Sequence, residues 1–333
     1  MKIIILTEAD LRSCVFMDEA SLAEVAIGFS KLAEGKVALP PILRVDVSEN
    51  HGEVDVKTAY IQGLDSFAIK IASGFWDNRL LDLPTGSGMM ILISAQTGRP
   101  IAVLLDNGYL TDLRTGLAGA IAARHLAREK IENVGVIGSG MQARYQVRGL
   151  RLVRDFKRLF VYGIEPDGVD TYASEMTDEL GIEVIKADSP EVVVRESEVV
   201  ITSTPSQEPY LDSTWLHPGL HITAMGSDAE HKQELFPDVF DCLDLVVCDR
   251  KTQATRLGEL HHAQAAGSLP PEDEIAELGE LTSGMKSGRT NHDQITVCDL
   301  TGVGVQDTQI ARFAYERALE QSLGMTIEAS EAS

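Results

Sequence analysis

Three cations sit at alternate positions inside apolar runs: Arg44 in Leu43-Arg44-Val45-Asp46-Val47, Lys57 in Val54-Asp55-Val56-Lys57-Thr58, and Lys70 in Phe67-Ala68-Ile69-Lys70-Ile71. A period of two marks β-strands with one apolar and one polar face, so these stretches read as three strands of an antiparallel sheet. A solvated sheet face is the plain explanation of such alternation. Against it stands the overall charge: 29 Lys and Arg face 51 Asp and Glu, a formal −22, so a cluster of cations persists against the trend. A fourth cation, Arg114, follows Thr111-Asp112, which is expected to open a long helix over residues 113–128. Its place in the first turn, where free N–H groups and the helix dipole already favour an anion, suits a site that binds one. The chemistry open to this set is the binding of an anion by charge-assisted hydrogen bonds.

A second constellation is contiguous. Val134-Gly135-Val136-Ile137-Gly138-Ser139-Gly140-Met141-Gln142-Ala143 passes from small and apolar residues through two glycines into a helix-compatible stretch, residues 141–150. Gly138 would allow a tight turn, and Gly140 would let the backbone approach a pyrophosphate at the helix N-terminus. Ala143 takes the third glycine position of the GxGxxG/A fingerprint. An ordinary strand-to-helix turn looks the same, so context decides. Residues 158–163 read as the next strand at βαβ spacing, with further strand candidates at 183–187, 199–204, 221–225 and 243–249. The alternation predicts a Rossmann-type doubly wound parallel sheet.

Candidate cofactor-binding residues are Arg114 and Thr115 at the helix start, and Gly138, Ser139, Gly140, Met141, Gln142 and Ala143 in the turn. To these are added Glu165 beyond the second strand, Thr204 and Pro205, Met225, Gly226 and Ser227, and Val303 and Gly304 in a late glycine-rich turn. In Tyr162-Gly163-Ile164-Glu165-Pro166 no Arg follows to meet a 2′-phosphate, so NAD(H) is preferred over NADP(H). Asp228, after a strand end and a glycine turn, is placed for proton transfer, or else caps the segment 229–235. Adjacent His261 and His262 do not share a helix face and have no third ligand near, so no metal site is expected.

These groups need two lobes to hold them, and 333 residues suffice for two domains. Other expected elements are a strand at 2–6, a capped turn at 7–11, a helix at 17–34, and strands at 89–94 and 101–105. Later come an acidic surface helix at 272–280, a strand at 295–299, an amphipathic helix at 305–323 and ten frayed final residues. The acidic balance excludes nucleic acid and anionic membrane as partners. Four cysteines without CxxC or zinc spacing suit reduced thiols, and no stretch has the build of a signal peptide or a membrane span, so the cytoplasm is expected.

Together the landmarks resemble the ornithine cyclodeaminase/μ-crystallin family over nearly the whole chain. The resemblance rests on Arg44, on Phe67-Ala68-Ile69-Lys70, on the stretch from Asp106-Asn107-Gly108 to Arg114-Thr115, and on the glycine turn. It rests also on Met225-Gly226-Ser227-Asp228, and on Gly288-Arg289 leading into Ile295-Thr296-Val297. It implies an α/β protein whose Rossmann domain, residues 116–306, is inserted into an α+β substrate-binding and dimerisation domain, residues 1–115 with 307–333. It further implies a homodimer packed through the substrate-domain sheets. Arg44, Lys70 and Arg114 would bind a substrate carboxylate, and Asp228 would handle the proton at nitrogen.

Asp55-Val56-Lys57-Thr58-Ala59-Tyr60 and Ser73-Gly74-Phe75-Trp76-Asp77-Asn78 are similar to the ectoine-utilisation and iminosuccinate reductase subgroup. Lys57 near the position where ornithine cyclodeaminases carry a glutamate would repel a distal ammonium and welcome a second carboxylate. The expected activity is therefore NADH-dependent reduction of a small 2-imino acid, iminosuccinate first, to the amino acid, here aspartate, with Lys70 and Asp228 as catalytic groups. The alternatives are a cyclodeaminase or lyase of an ectoine-derived diamino acid with tightly held NAD, and a crystallin-type dinucleotide-binding protein without turnover.

Overall fold

The computed structural model describes residues 2–328. The chain falls into two compact units: one holds the chain up to Arg114 and again from Val303, the other is Thr115–Gly302.

The first unit opens with β1 (Lys2–Thr7), α1 (Glu8–Cys14), α2 (Glu19–Ala33), β2 (Val37–Ala38) and β3 (Leu43–Val47). It continues through β4 (Gly52–Thr58), β5 (Tyr60–Ile61), β6 (Ser66–Phe75), β7 (Gly86–Ser94) and β8 (Pro100–Leu105). Thr7 and Asp10 form a capping box, which turns the expected capped turn into the full helix α1, and Asp18 caps α2 through the Ser21 N–H. From the last part of the chain come α10 (Gly304–Glu320) and β17 (Met325–Glu328). The order β17-β1-β8-β7-β6-β4-β3 makes one mixed seven-stranded sheet. β17 pairs antiparallel with β1, so residues 325–328 are strand rather than frayed; the rest of that expectation falls on 329–333, outside the described residues.

Register decides which side of this sheet is covered. Lys57 stands opposite Lys70, Lys70 opposite Met90, and Met90 opposite Leu104. Met90, Leu104 and the neighbouring Ala68, Leu92 and Ala102 are fully buried. The polar phase of the alternation is thus the covered side, the reverse of a solvated polar face. The other phase carries Leu43, Val45, Val54, Val56, Ile69, Ile71 and Ile91, of which Leu43 and Val45 remain 56% and 50% exposed. The helix α10 is stitched to the sheet by Thr308, whose Oγ1 accepts from the Ala68 N–H at 3.1 Å and donates to the Ala59 carbonyl at 2.7 Å. Its stretch from Gly304 to Ala311 is buried throughout, and the amphipathic pattern expected of the helix is confined to its second half, where Ala314 and Ala318 are buried and Glu316 and Glu320 exposed.

A long helix, α3 (Tyr109–Leu126), carries the chain out of this unit. In the second unit β9 (Asn133–Ile137), α4 (Met141–Val153), β10 (Arg158–Tyr162), α5 (Pro166–Leu180), β11 (Glu183–Lys186), α6 (Pro190–Glu196) and β12 (Val199–Thr202) alternate. After them come β13 (His221–Ala224), β14 (Leu245–Cys248), α7 (Lys251–Leu257), α8 (Glu259–Ala266), β15 (Ala276–Glu277), α9 (Leu278–Thr282) and β16 (Thr296–Asp299). The order β11-β10-β9-β12-β13-β16-β14-β15 is parallel at every pairing. The chain runs outward from β9 in both directions, so the switch point lies between β9 and β12, where the carboxyl ends of such sheets bind ligands. Residues 272–280 are not an acidic surface helix. Ala276, Leu278 and Leu281 are buried, and the acids flank a short edge strand and α9.

Candidate functional site

In the first unit the register places Lys57 and Lys70 side by side on the covered face, and both are buried, at 6% and 2% exposure. Arg114, 5% exposed, joins them from α3. Asp307 of α10, with no exposed surface, lies 3.4 Å from Lys70 Nζ and 3.0 Å from Arg114 Nε through the same oxygen. The Arg114 guanidinium also donates to Gln306 Oε1 at 3.3 Å, and that oxygen accepts the Val303 N–H at 2.9 Å. Lys70 and Arg114 therefore share one contacting carboxylate, with Lys57 opposite Lys70 in the register, and all four side chains are buried. Burial, reinforced by Arg114 and Lys57 and opposed by Asp307, lowers the Lys70 ammonium to about 7. An anion entering this cluster would restore the balance of charge, and a carboxylate is the shape that suits an ammonium and a guanidinium together.

Two expectations change here. Arg114 is not in a first helical turn. The Asp106 carboxylate accepts the Leu110 N–H at 2.9 Å, and Asn107 and Gly108 take positive φ, so α3 starts at Tyr109. Arg114 lies in the second turn, where the backbone N–H groups are already bonded within the helix, and its contribution comes from the guanidinium alone. Arg44 shares the covered face, yet its guanidinium pairs with Asp46 at 2.8 Å, with Glu53 and with Asp55 at 3.9 Å. The structure thus brings together Lys57, Lys70 and Arg114, and gives Arg44 to acids on its own and the adjoining strand. One oxygen of Asp55 is buried with no hydrogen bond.

The glycine turn of the second unit is built from backbone. Gly138 has φ +113°, and a Cβ there would lie 2.8 Å from the Ser203 carbonyl oxygen, so both conformation and space require glycine. Gly140 is the N-cap of α4 without a side-chain cap, and a Cβ added to it meets nothing within 4 Å. The first-turn N–H groups of α4 thus face an open cradle with no acceptor from a capping side chain, which fits the pyrophosphate of a dinucleotide. Arg144 donates to the Ser139 carbonyl at 2.6 Å and the Gly140 carbonyl at 3.1 Å, fixing the loop from behind. Met141 is exposed beside the cradle, whereas Ala143 is buried, where a larger side chain would push α4 off the sheet. Glu165 caps α5 just beyond β10, and Thr115 accepts from Gln146 through its carbonyl at 2.9 Å.

The next strand ends are tied together by a residue the sequence did not single out. Glu234 accepts from Thr202 Oγ1, Thr204 Oγ1, the Thr204 N–H, Tyr210 and the Gly226 N–H, all between 2.6 and 2.9 Å. Burial raises its pKa against those hydrogen bonds. One buried carboxylate thereby locks Thr204, next to Pro205, to the turn Met225-Gly226-Ser227. Asp228 follows that turn and pairs with buried Lys232 at 2.7 Å. No helix follows it, so it is not an N-cap; it leads into a turn at residues 230–231, which keeps the plain turn reading of Asp228 beside the proton-transfer one. Val303 and Gly304, expected at the cofactor, group with the first unit, and a Cβ on Gly304 would lie 2.4 Å from the Thr58 carbonyl oxygen. Asp307 was missed because an acid in a first helical turn is what the dipole favours anywhere. Glu234 and Lys232 carry no local signal at all.

A model of the ornithine cyclodeaminase/mu-crystallin family matches residues 1–322. A dehydrogenase-type protein of Rhizobium meliloti (strain 1021) is 48% identical over 324 residues, 97% of this chain and 98% of the relative. Among solved structures, Thermococcus litoralis Δ1-pyrroline-2-carboxylate reductase in complex with NADH and L-proline has a TM-score of 0.91 at 30% identity, with 97% and 99% of the two chains covered. The iminosuccinate reductase of Paracoccus denitrificans in complex with NAD+ has a TM-score of 0.90 at 26% identity, covering 99% and 100%. An archaeal alanine dehydrogenase dimer with bound NAD has 0.90 at 33%, covering 98% and 99%. The chain belongs to the ornithine cyclodeaminase/mu-crystallin family, with its Rossmann-like parallel sheet and separate mixed-sheet unit.

Proposed function

We propose that this protein is an NADH-dependent reductase of a small 2-imino acid, with iminosuccinate as the first substrate to test and aspartate as its product. One observation supports the reading: Lys70 and Arg114 are buried against one shared carboxylate oxygen of Asp307, with buried Lys57 directly opposite Lys70, a concentration of cations that suits an anionic substrate. The carboxylate next to the imine would lie against Lys70 and Arg114, and Lys57 would take a second carboxylate. The glycine turn would hold NADH, whose chemistry is hydride donation to an imine carbon, and the imine nitrogen would take up one proton. Asp228 would pass that proton on, with the Lys232 ammonium behind it as the source. The relatives that reduce pyrroline-2-carboxylate and iminosuccinate support the reaction class.

The test follows NADH oxidation with freshly generated iminosuccinate, pyrroline-2-carboxylate, and pyruvate with ammonia. The reading expects turnover with at least one imine, fastest with the dicarboxylate. Tight NADH binding without turnover on any of them would leave a binding protein. Asp228→Asn is expected to lower kcat ~100-fold with NADH affinity retained; unchanged kcat would remove Asp228 from the reaction.

A second reading has one observation in its favour. The Asp55 oxygen on the covered face, which has the Arg44 ion pair at 3.9 Å but no hydrogen bond, suits a distal ammonium, as a cyclodeaminase of a diamino acid would require. Such an enzyme regenerates its NAD within each turnover, so product would form with no net change in NADH absorbance. For assembly, the apolar outer phase of the seven-stranded sheet favours a homodimer, as in the alanine dehydrogenase relative. Val45→Asp is expected to halve the mass seen by light scattering.

A further inference from the structure

We propose that Asp307 is a positioning residue, which sets the spacing of Lys70 and Arg114 and keeps Lys70 in the cationic form that a substrate carboxylate requires; the proposal rests on the anion-site reading above. A single oxygen serves both cations, at 3.4 Å and 3.0 Å, from a helix that belongs to neither of their elements. The contact is one of charge more than of directed hydrogen bonding, since Arg114 Nε and both Asp307 oxygens have no well-aligned hydrogen-bond partner among the described residues. A carboxylate held in that way exerts its field without using up the donors that a ligand needs.

The position of Asp307 is fixed with unusual care. Its neighbour Thr308 is bonded to the backbone at Ala68 and at Ala59, and Gln306 bridges Arg114 to the Val303 N–H. Gly304 lies so close to Thr58 that any side chain there would lift the first turn of α10, and Asp307 with it. The charged groups facing Lys70 are Arg114 from α3, Lys57 from β4, Asp307 from α10 and Asp106 from the turn before α3. Asp106 is occupied with the Leu110 N–H, and burial raises its pKa. Asp307 is the carboxylate in contact with the Lys70 ammonium.

The sign follows directly. A carboxylate beside an ammonium favours its charged form, so Asp307 opposes the fall of Lys70 toward about 7. Carboxylate binding is present below the Lys70 midpoint and lost as pH rises through it. With Asp307→Asn the midpoint drops, by ~1 unit or more for a contact of this kind.

The experiment titrates the full-length protein with succinate, a carboxylate it cannot reduce, by calorimetry across the neutral range, alongside NADH affinity and thermal melting. Asp307→Asn is expected to bind succinate only at lower pH than the wild type, with NADH affinity unchanged. A lower melting temperature with the same pH midpoint would make Asp307 merely structural and overturn the proposal. If the wild type binds succinate at no pH, the anion-site reading itself fails, and the proposal with it. Asp307→Glu keeps the test open should the Asn variant not fold. It is expected to preserve the midpoint while kcat falls at least fivefold through misplaced cations, and an unchanged kcat would overturn the positioning role.

Discussion

The two candidate binding regions are built on opposite plans. In the second unit the cradle consists of backbone from one contiguous stretch, and glycine is needed because φ at Gly138 and the nearness of Ser203 leave no room for a Cβ. In the first unit the cluster consists of long side chains from positions 57, 70, 114 and 307, held on separate elements by sheet register and by Gln306 and Thr308. A backbone site is specified by conformation and fails through strain. A side-chain site is specified by charge and fails through loss of a partner.

That contrast can be broken experimentally. The largest effect is expected from Lys70→Met. It should lower kcat/KM for an imino acid ~100- to 1000-fold, since truncating one partner of a buried charged contact costs several kcal/mol. NADH affinity should remain, and thermal stability should hold or rise, because an ammonium whose burial is costly has been removed. Parallel loss of NADH affinity would mean that the two regions are not separable.

Gly138→Val is the converse. Strain at positive φ is expected to weaken NADH binding ~10- to 100-fold, measured by fluorescence, with succinate affinity unaltered. Retained NADH binding would take the cradle out of the cofactor site. The smallest effect sharpens the side-chain plan. Lys57→Met should weaken a dicarboxylate ~10-fold and a monocarboxylate hardly at all, as expected for one charge-assisted hydrogen bond. Equal losses for both would return Lys57 to a packing role.

How far each plan could be read in advance follows from the same difference. The glycine turn, the parallel strands around it and the period-two strands read at 43–47, 54–58 and 67–71 come from local pattern, and the structure has the last three at 43–47, 52–58 and 66–75. The acidic stretch 272–280 misled because its composition suits a solvated helix, while Ala276, Leu278 and Leu281 are in fact buried. The start of α3 misled because Thr111-Asp112 reads as the helix opening, whereas the turn at Asn107-Gly108 leads straight into Tyr109 and the Asp106 carboxylate accepts the Leu110 N–H.

The sequence by itself determined the periodicities, the glycines that only one backbone conformation explains, and the cations kept in an acidic chain. Alternation fixes that Lys57 faces away from Val56 and Lys70 away from Ile71; that the two lysines share one face is decided by the β4–β6 register. Alternation is silent on which phase is covered, because a sheet has two faces and the helix packed on one of them, α10, lies far away along the chain. Only the tertiary structure decided that the charged phase is the buried one, that Arg44 is given to acids, and that Asp307 and Glu234 stand behind the two sites. The physical reason is range: backbone conformation is set within a few residues, whereas the cost of a buried charge depends on whatever the fold brings to it from anywhere in the chain.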